Sequence, residues 1–250
     1  SPGQNCITQM ASLTLIVFCK QIELTMHDGT VRDLCFLEDS SNIRMEGQIR
    51  FEDRNLLSLS PEEIRKIRGN RIAMIFQEPM TSLNPVYTIG NQLLEPLMLH
   101  LRMDKKTAEK EAIRLLDRTG IDDPAERMHS YPHQLSGGQR QRVMIAMALA
   151  CHPSLLIADE PTTALDVTIQ AQILALIKDI QKEYGMAVLL ITHDLEIVRR
   201  HASSLYILQH GRIVESGDKD KVFSNPSHPY TRKLMTAIPH STRQAPPPGP

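Results

Sequence analysis

The chain has 250 residues, 41% apolar and 23% charged, a globular composition that excludes disordered, collagen-like and coiled-coil classes. Lys plus Arg number 28 against 29 for Asp plus Glu, so a net charge of −1 gives no electrostatic reason to expect a nucleic-acid or anionic-membrane surface. Cys6, Cys19, Cys35 and Cys151 have no CxxC or metal-type spacing and read as free thiols of a reducing compartment, and the longest apolar run, Val143 to Cys151, falls far short of the roughly 18 residues that span a bilayer.

Residues 1 to 46 hold strand-like pieces without a clear period, and a start at Ser1 rather than Met points to a fragment. Leu13 to Cys19 reads as a core β-strand, because no basic segment precedes it and no small-residue cleavage site follows it. Order begins at Gly47. Gln48 to Phe51 alternates like a strand, and Ser60-Pro61-Glu62-Glu63 opens a helix that ends near Arg68 with an N-cap, a proline at N1 and acidic first-turn residues. Arg71 to Phe76 is a short apolar strand. Residues 89–101, 104–119 and 124–129 read as helices, the second with Ala108, Ala112, Leu115 and Leu116 at helical spacing and Gly120 as its stop.

The second half alternates. Leu155 to Ala158, Ala187 to Ile191 and Ser204 to Leu208 read as strands, followed by a His210-Gly211 turn into Arg212 to Glu215. Helices span Arg140 to Ala150, Val167 to Tyr184 and Asp194 to His201. Strands alternating with long helices imply an α/β fold with a parallel sheet. The proline-rich end, Gln244 to Pro250, reads as a linker or tail.

Four places carry chemistry. In Leu135-Ser-Gly-Gly-Gln139, Ser136 is a natural N-cap, and Gly137 and Gly138 let backbone N–H groups approach a phosphate; an ordinary capped helix after a glycine turn is the alternative. Asp159 and Glu160 end a buried strand, where parallel sheets bind ligands. One carboxylate there can hold Mg²⁺ and the other polarise water, or the pair can be a solvated strand end. His193 leaves the neighbouring strand, where it reaches a γ-phosphate or serves as a surface or capping histidine. Gln77 follows the strand ending at Phe76, and its amide can touch metal or water. Asp166 reads equally as a helix N-cap or a contact across an interface.

The succession Gln77, LSGGQ at 135–139, LLIADE at 155–160, Ala164-Leu165-Asp166 and His193 resembles the nucleotide-binding subunit of ATP-binding cassette (ABC) transporters, over about Gly47 to Pro239. The resemblance implies a P-loop NTPase-like ABC ATPase fold at residues 47–239 with a helical subdomain at about 86–135. It implies ATP and Mg²⁺ as cofactors, with Gln77 as the Q-loop glutamine and Ser136, Gly137, Gly138 and Gln139 as the signature loop. Asp159 is then the metal carboxylate assisted by Gln77, Glu160 the catalytic base, Asp166 a D-loop residue and His193 the switch histidine. Phe76-Gln-Glu-Pro-Met-Thr-Ser-Leu-Asn-Pro85 and His228-Pro-Tyr-Thr231 are similar to the group that imports oligopeptides, dipeptides and nickel, and closest in wording to importers whose two cassettes are fused. The implied partners are transmembrane permease subunits, a second ABC cassette (identical, different or fused) and, indirectly, an external solute-binding protein, with no nucleic acid. The implied place is the cytoplasmic side of the plasma membrane, held peripherally. Soluble ABC ATPases of DNA repair or translation would carry coiled coils, zinc-type cysteine pairs or basic linkers.

One expected element is missing from the text. No glycine is followed by lysine, so GxxxxGK[ST] does not occur, and only Arg32 to Glu46 separates a hairpin-like Asp28-Gly29-Thr30-Val31 from Gly47. A strand, phosphate loop and crossover helix need about 30 residues. The sequence therefore predicts a core incomplete on its N-terminal side, with residues 1–46 a truncated β-subdomain and the neighbouring strands left with unpaired edges. The lysine and amides of that loop neutralise the β- and γ-phosphates, so without them the chain is expected not to hydrolyse ATP at its own site; a catalytically defective or fragmentary cassette that only donates its signature loop to a partner cassette is the alternative function.

Overall fold

The computed structural model describes residues 14–19, 48–77, 82–162 and 165–236, with Thr14–Cys19 described through its backbone. Its centre is a six-stranded sheet. Three strands, β4 (Ile72–Ile75), β5 (Leu155–Asp159) and β6 (Ala187–Thr192), pair in parallel, with Ile75, Ala158 and Leu190 in one row across them. The sheet continues antiparallel through β1 (Thr14–Cys19), β7 (Ser204–Gln209) and β8 (Arg212–Asp218), in the order β4-β5-β6-β1-β7-β8.

The parallel strands are apolar along their whole length because both faces are covered. Leu156, Ala158, Val188 and Leu190 face one core, while Leu155, Ile157, Ala187 and Leu189 face a second. The larger core is built by α2 (Ile89–His100), α3 (Lys105–Arg118), α5 (Gly137–Leu149) and α6 (Val167–Tyr184), which bury Leu93, Leu97, Leu115, Leu116, Ile145 and Ile173. The four apolar positions at helical spacing in α3 are all buried there. On the opposite face lie the small hairpin of β2 (Arg50–Phe51) and β3 (Arg54–Asn55), which brings in Phe51, and α1 (Pro61–Ile67). The expected N-terminus of α1 is a full capping box: Ser60 accepts from the Glu63 N–H, and Glu63 accepts from the Ser60 N–H.

A short α4 (Pro124–Arg127) joins α3 to the segment before α5, and α7 (Leu195–His201) follows β6 with Asp194 as its cap. Gly120 ends α3 at φ +75°, and a Cβ there would stand 2.7 Å from Nη1 of Arg142. That side chain reaches back from α5 to the Thr119 carbonyl at 2.8 Å.

Two expectations change. The edges of β6 and β7 are not left unpaired: β1 lies between them, with Leu15 opposite both Thr192 and Ile207. It runs antiparallel to each, so a sheet edge that would otherwise expose N–H and C=O groups is hydrogen-bonded on both sides. The segment after β8 also contains α8 (Lys219–Ser224) and α9 (Pro229–Thr236), for which the sequence reading names no helix. The expectations for Cys6, Cys35 and the proline-rich end lie outside the described residues; Cys151 is buried and free.

Glu215 of β8 explains how α9 is held. Its Oε1 accepts from the Ser227 N–H (2.7 Å) and hydroxyl (2.8 Å), and its Oε2 from the His228 N–H (3.0 Å), so it caps from a distance the start of a helix whose proline cannot donate. Burial opposes ionisation of this carboxyl, but the buried Thr231 hydroxyl nearby and the hydrogen bonds from the two amides and the Ser227 hydroxyl outweigh it and pull the group down to about 2. A depressed carboxyl stabilises the fold above its unfolded value and loses that contribution as pH falls. Glu215→Gln is expected to lower stability by about 1 kcal/mol at neutral pH. The deficit should shrink between pH about 4.5 and about 2, as the native carboxylate is itself protonated; urea unfolding of both forms at pH 7 and pH 3 checks this.

Candidate functional site

Parallel register sets the site. Two residues beyond the row of Ile75 and Ala158 come Gln77 and Glu160, and three residues beyond Leu190 comes His193. All three strand ends open at the same edge, the edge where parallel sheets hold ligands.

There Glu160 is gripped from both sides. The carboxamide of Gln77 donates to its Oε2 at 2.9 Å, and Nδ1 of His193 lies 2.7 Å from its Oε1. An ionised carboxylate only accepts, so in that state Nδ1 carries the hydrogen and Nε2 is left to accept or to meet a ligand. The carboxylate of Glu160 is 21% exposed and the imidazole 59%, which places the pair at a solvent-facing lip rather than in the core. Asp159, half-buried, is the last residue of β5 and precedes Glu160 on the same strand end.

The backbone under Glu160 is unusual. Its φ is +44°, a left-handed conformation that a residue with a Cβ adopts at a cost of about 1–2 kcal/mol. The Glu160 N–H donates to the Ile191 carbonyl of β6 at 2.9 Å, and the carbonyl of the following Pro161 accepts from Nε2 of Gln141 at 2.6 Å. These bonds hold the turn that aims the carboxylate out of the sheet.

Ser136 to Gln139 stand on a separate element. Ser136 caps α5, accepting from the Gln139 N–H at 3.2 Å, and the Gln139 side chain accepts from the Ser136 N–H at 3.0 Å. The helix therefore starts at Gly137, three residues before the start read from the sequence at Arg140, because the capping box holds both glycines inside its first turn. Gly137 faces open space, while a Cβ on Gly138 would touch Ile169 of α6 at 3.4 Å. One glycine thus leaves the helix end open and the other lets two helices approach. Asp166 is the cap of α6, accepting from the Ile169 N–H at 2.9 Å.

The structure brings Gln77, Glu160 and His193 into direct contact, sets Asp159 beside them in the chain, and puts Ser136 to Gln139 and Asp166 at two helix starts packed against each other through Gly138 and Ile169. Sequence reading missed Gln141. It is 2% exposed, and the available signal was a lone amide entering the apolar stretch that begins at Val143.

Comparison with known proteins gives the family and the fold. Residues 36–163 match the family model described as ABC transporter, and residues 214–247 match the oligopeptide/dipeptide transporter C-terminal region. A probable peptide ABC transporter ATP-binding protein of Sinorhizobium fredii, y4tR, is 53% identical over 197 residues, covering 79% of this chain and 59% of that protein. The oligopeptide transport ATP-binding protein AppD of Bacillus subtilis is 52% identical over 203 residues, covering 81% and 62%. This chain therefore spans about three fifths of the length of such relatives. Among solved structures, the dimeric ABC transporter cassette MJ0796 matches with a TM-score of 0.62 and 31% identity, covering 70% of this chain and 74% of that one. Its post-hydrolysis dimer bound to ADP and Pi matches with a TM-score of 0.65 and 26% identity, covering 83% and 98%. With its ordered strand-end residues, its capped glycine helix start and these matches, the chain belongs to the ABC transporter family and has the ABC ATPase cassette fold.

Proposed function

We propose that this chain binds and hydrolyses ATP to energise import of peptides or related solutes across the cytoplasmic membrane. The observation that carries the reading is the Glu160 carboxylate, fixed at the end of β5 with each oxygen accepting a hydrogen bond, one from Gln77 and one from His193. A carboxylate so oriented can take the proton of an attacking water, and the imidazolium form of His193, with Nδ1–H on Glu160, can donate its Nε2–H to a γ-phosphate oxygen. The names of relatives, peptide and oligopeptide transport ATP-binding proteins, support the solute class, as does the match of residues 214–247.

Mg²⁺ fits the donors at this edge. It is a hard cation that takes one or two carboxylates and completes its shell with water and phosphate oxygens. Asp159 offers such a carboxylate, Gln77 adds a carboxamide, and among the described residues there is no cluster of three acidic, histidine or cysteine ligands that would favour a protein-enclosed metal. Asp159 and Gln77 would hold the ion, which when bound neutralises charge on the β- and γ-phosphates. Ser136, Gly137, Gly138 and Gln139, with Asp166 beside them, would face a nucleotide held by a second cassette; the dimeric state of the MJ0796 cassette supports a two-cassette assembly. The helical insert, about residues 86–135, together with Gln77 would meet transmembrane permease subunits, with an external solute-binding protein acting through them. The chain would sit peripherally on the cytoplasmic face; no helix among the described residues is long and apolar enough to cross a membrane.

A second reading has its own observation. The slot between β6 and β7 is filled by a strand that runs antiparallel to both, so its N-terminal end, not its C-terminal end, meets the edge that carries Glu160 and His193. A phosphate loop follows the C-terminal end of a parallel strand. In this reading the chain donates its signature loop to a partner's site and does not turn over ATP alone.

Three measurements separate these. The purified chain with Mg²⁺ is expected to release phosphate from ATP, and Glu160→Gln to cut that rate by about 10²–10⁴-fold while nucleotide binding persists. A parent chain no faster than Glu160→Gln overturns the first reading; stimulation of an intact partner cassette that Ser136→Ala removes would establish the second. Asp166→Ala should lower stability by about 1 kcal/mol through loss of the α6 cap, whereas Asp166→Asn keeps the cap. A loss of hydrolysis in Asp166→Asn, with its thermal melt unchanged, would place Asp166 at the nucleotide interface.

A further inference from the structure

Gln141 joins the helix that begins at Gly137 to the turn that follows β5. It sits on the second turn of α5, the helix whose first turn is Gly137, Gly138 and Gln139, and it is 2% exposed. Its Nε2 donates at 2.6 Å to the carbonyl of Pro161, the residue after Glu160. The next residue, Arg142, donates to the Thr119 carbonyl at the end of α3 (2.8 Å) and to Oε1 of Gln172 on α6 (2.9 Å). The segment Glu160 to Thr162 is otherwise tied to the sheet by the Glu160 N–H on Ile191 and to α6 by Nε2 of Gln170 on the Thr162 hydroxyl at 3.0 Å.

We infer that Gln141 is a positioning residue: it transmits displacement of the signature-loop helix to the backbone that aims the Glu160 carboxylate. The inference rests on the reading of Glu160 as the group that acts on water. Three facts give it direction. Glu160 is held in a left-handed conformation, so its orientation depends on how the backbone on either side of it is held. Ile191 restrains the peptide group on its N-terminal side from the sheet, and Gln141 restrains from α5 the peptide group between Pro161 and Thr162, which the fixed φ of Pro161 links back to Glu160. Pro161 and Gln141 are both buried, so no bulk water replaces the bond when it is lost and the carbonyl is left unpaired. A ligand that pulls on the α5 start therefore pulls on Glu160 through a stiff, dry link, and Arg142 passes the same movement to the end of α3 and to α6.

The deciding experiment is amide hydrogen exchange on the full chain without nucleotide, read at Glu160 and Thr162, in four forms: parent, Ser136→Ala, Gln141→Met and the double variant. Ser136→Ala loosens the α5 start by removing its cap. The expected result is faster exchange at Glu160 in Ser136→Ala by about tenfold or less, faster exchange in Gln141→Met, and no added effect of Ser136→Ala once Gln141 is Met. Unchanged Glu160 exchange in Ser136→Ala, or an equal increment in both backgrounds, overturns the link. If Gln141→Met does not fold, Gln141→Ser, small enough to admit a water to the carbonyl, takes its place in the same comparison. A second arm measures ATP hydrolysis: loss of the link should lower kcat by about tenfold or more with KM within about twofold. A parallel fall in kcat, KM performance and melting temperature marks a purely structural residue and overturns the proposal. Absence of hydrolysis in the parent defeats the proposed function alone, because the exchange comparison still decides the link.

Discussion

The rest of the structure depends on the shared direction and register of β4, β5 and β6. Ile75, Ala158 and Leu190 lie in one hydrogen-bonded row, and the residues that follow that row by two or three positions are Gln77, Glu160 and His193. A strand rises about 3.3 Å per residue, so a slip of one position would separate Gln77 or His193 from Glu160 by more than a hydrogen bond can span. It would also turn each strand's side chains to the opposite face. Burial on both faces prevents this, because alternate residues of β5 and β6 belong to different cores. The same packing that stabilises the sheet thus fixes the geometry of the carboxylate.

What the sheet cannot do by itself is aim a side chain outward from a strand that has just ended. That task falls to the turn at Glu160, whose left-handed backbone is held by Ile191 on one side and Gln141 on the other. Strain of this kind persists where the surroundings over-determine it. Here the surroundings are a neighbouring strand and the helix that begins with Gly137 and Gly138, so the turn under the carboxylate is tied both to the sheet and to a helix whose first residue faces open space.

The elements of this protein were largely legible. Ser60, Asp166 and Asp194 each head a helix and each caps it, and Gly120 and Gly185 each end one in the left-handed region. Such local signals depend on a few neighbouring residues, which is why the α1, α3 and α6 limits read from sequence lie within a residue or two of those observed. The C-terminal helices were missed although each has a local signal: Asp218 caps α8, and at α9 Pro229 opens the first turn while Nδ1 of His228 accepts from the Tyr230 N–H. What no short window holds is Glu215, more than ten residues earlier on a strand, which binds the Ser227 and His228 amides at the start of α9.

The sequence by itself determined the order of strands and helices, the residue types at the strand ends and the resemblance to ABC cassettes, because propensity, capping and motif spacing are written in short windows of chain. Only the tertiary structure decided that β1 fills the slot between β6 and β7 in the antiparallel sense, that both oxygens of Glu160 have donors, and that Gln141 ties α5 to Pro161. Each of these joins residues separated by 20 or more positions, and such pairings are selected by burial and register across the whole sheet rather than by anything local to either partner.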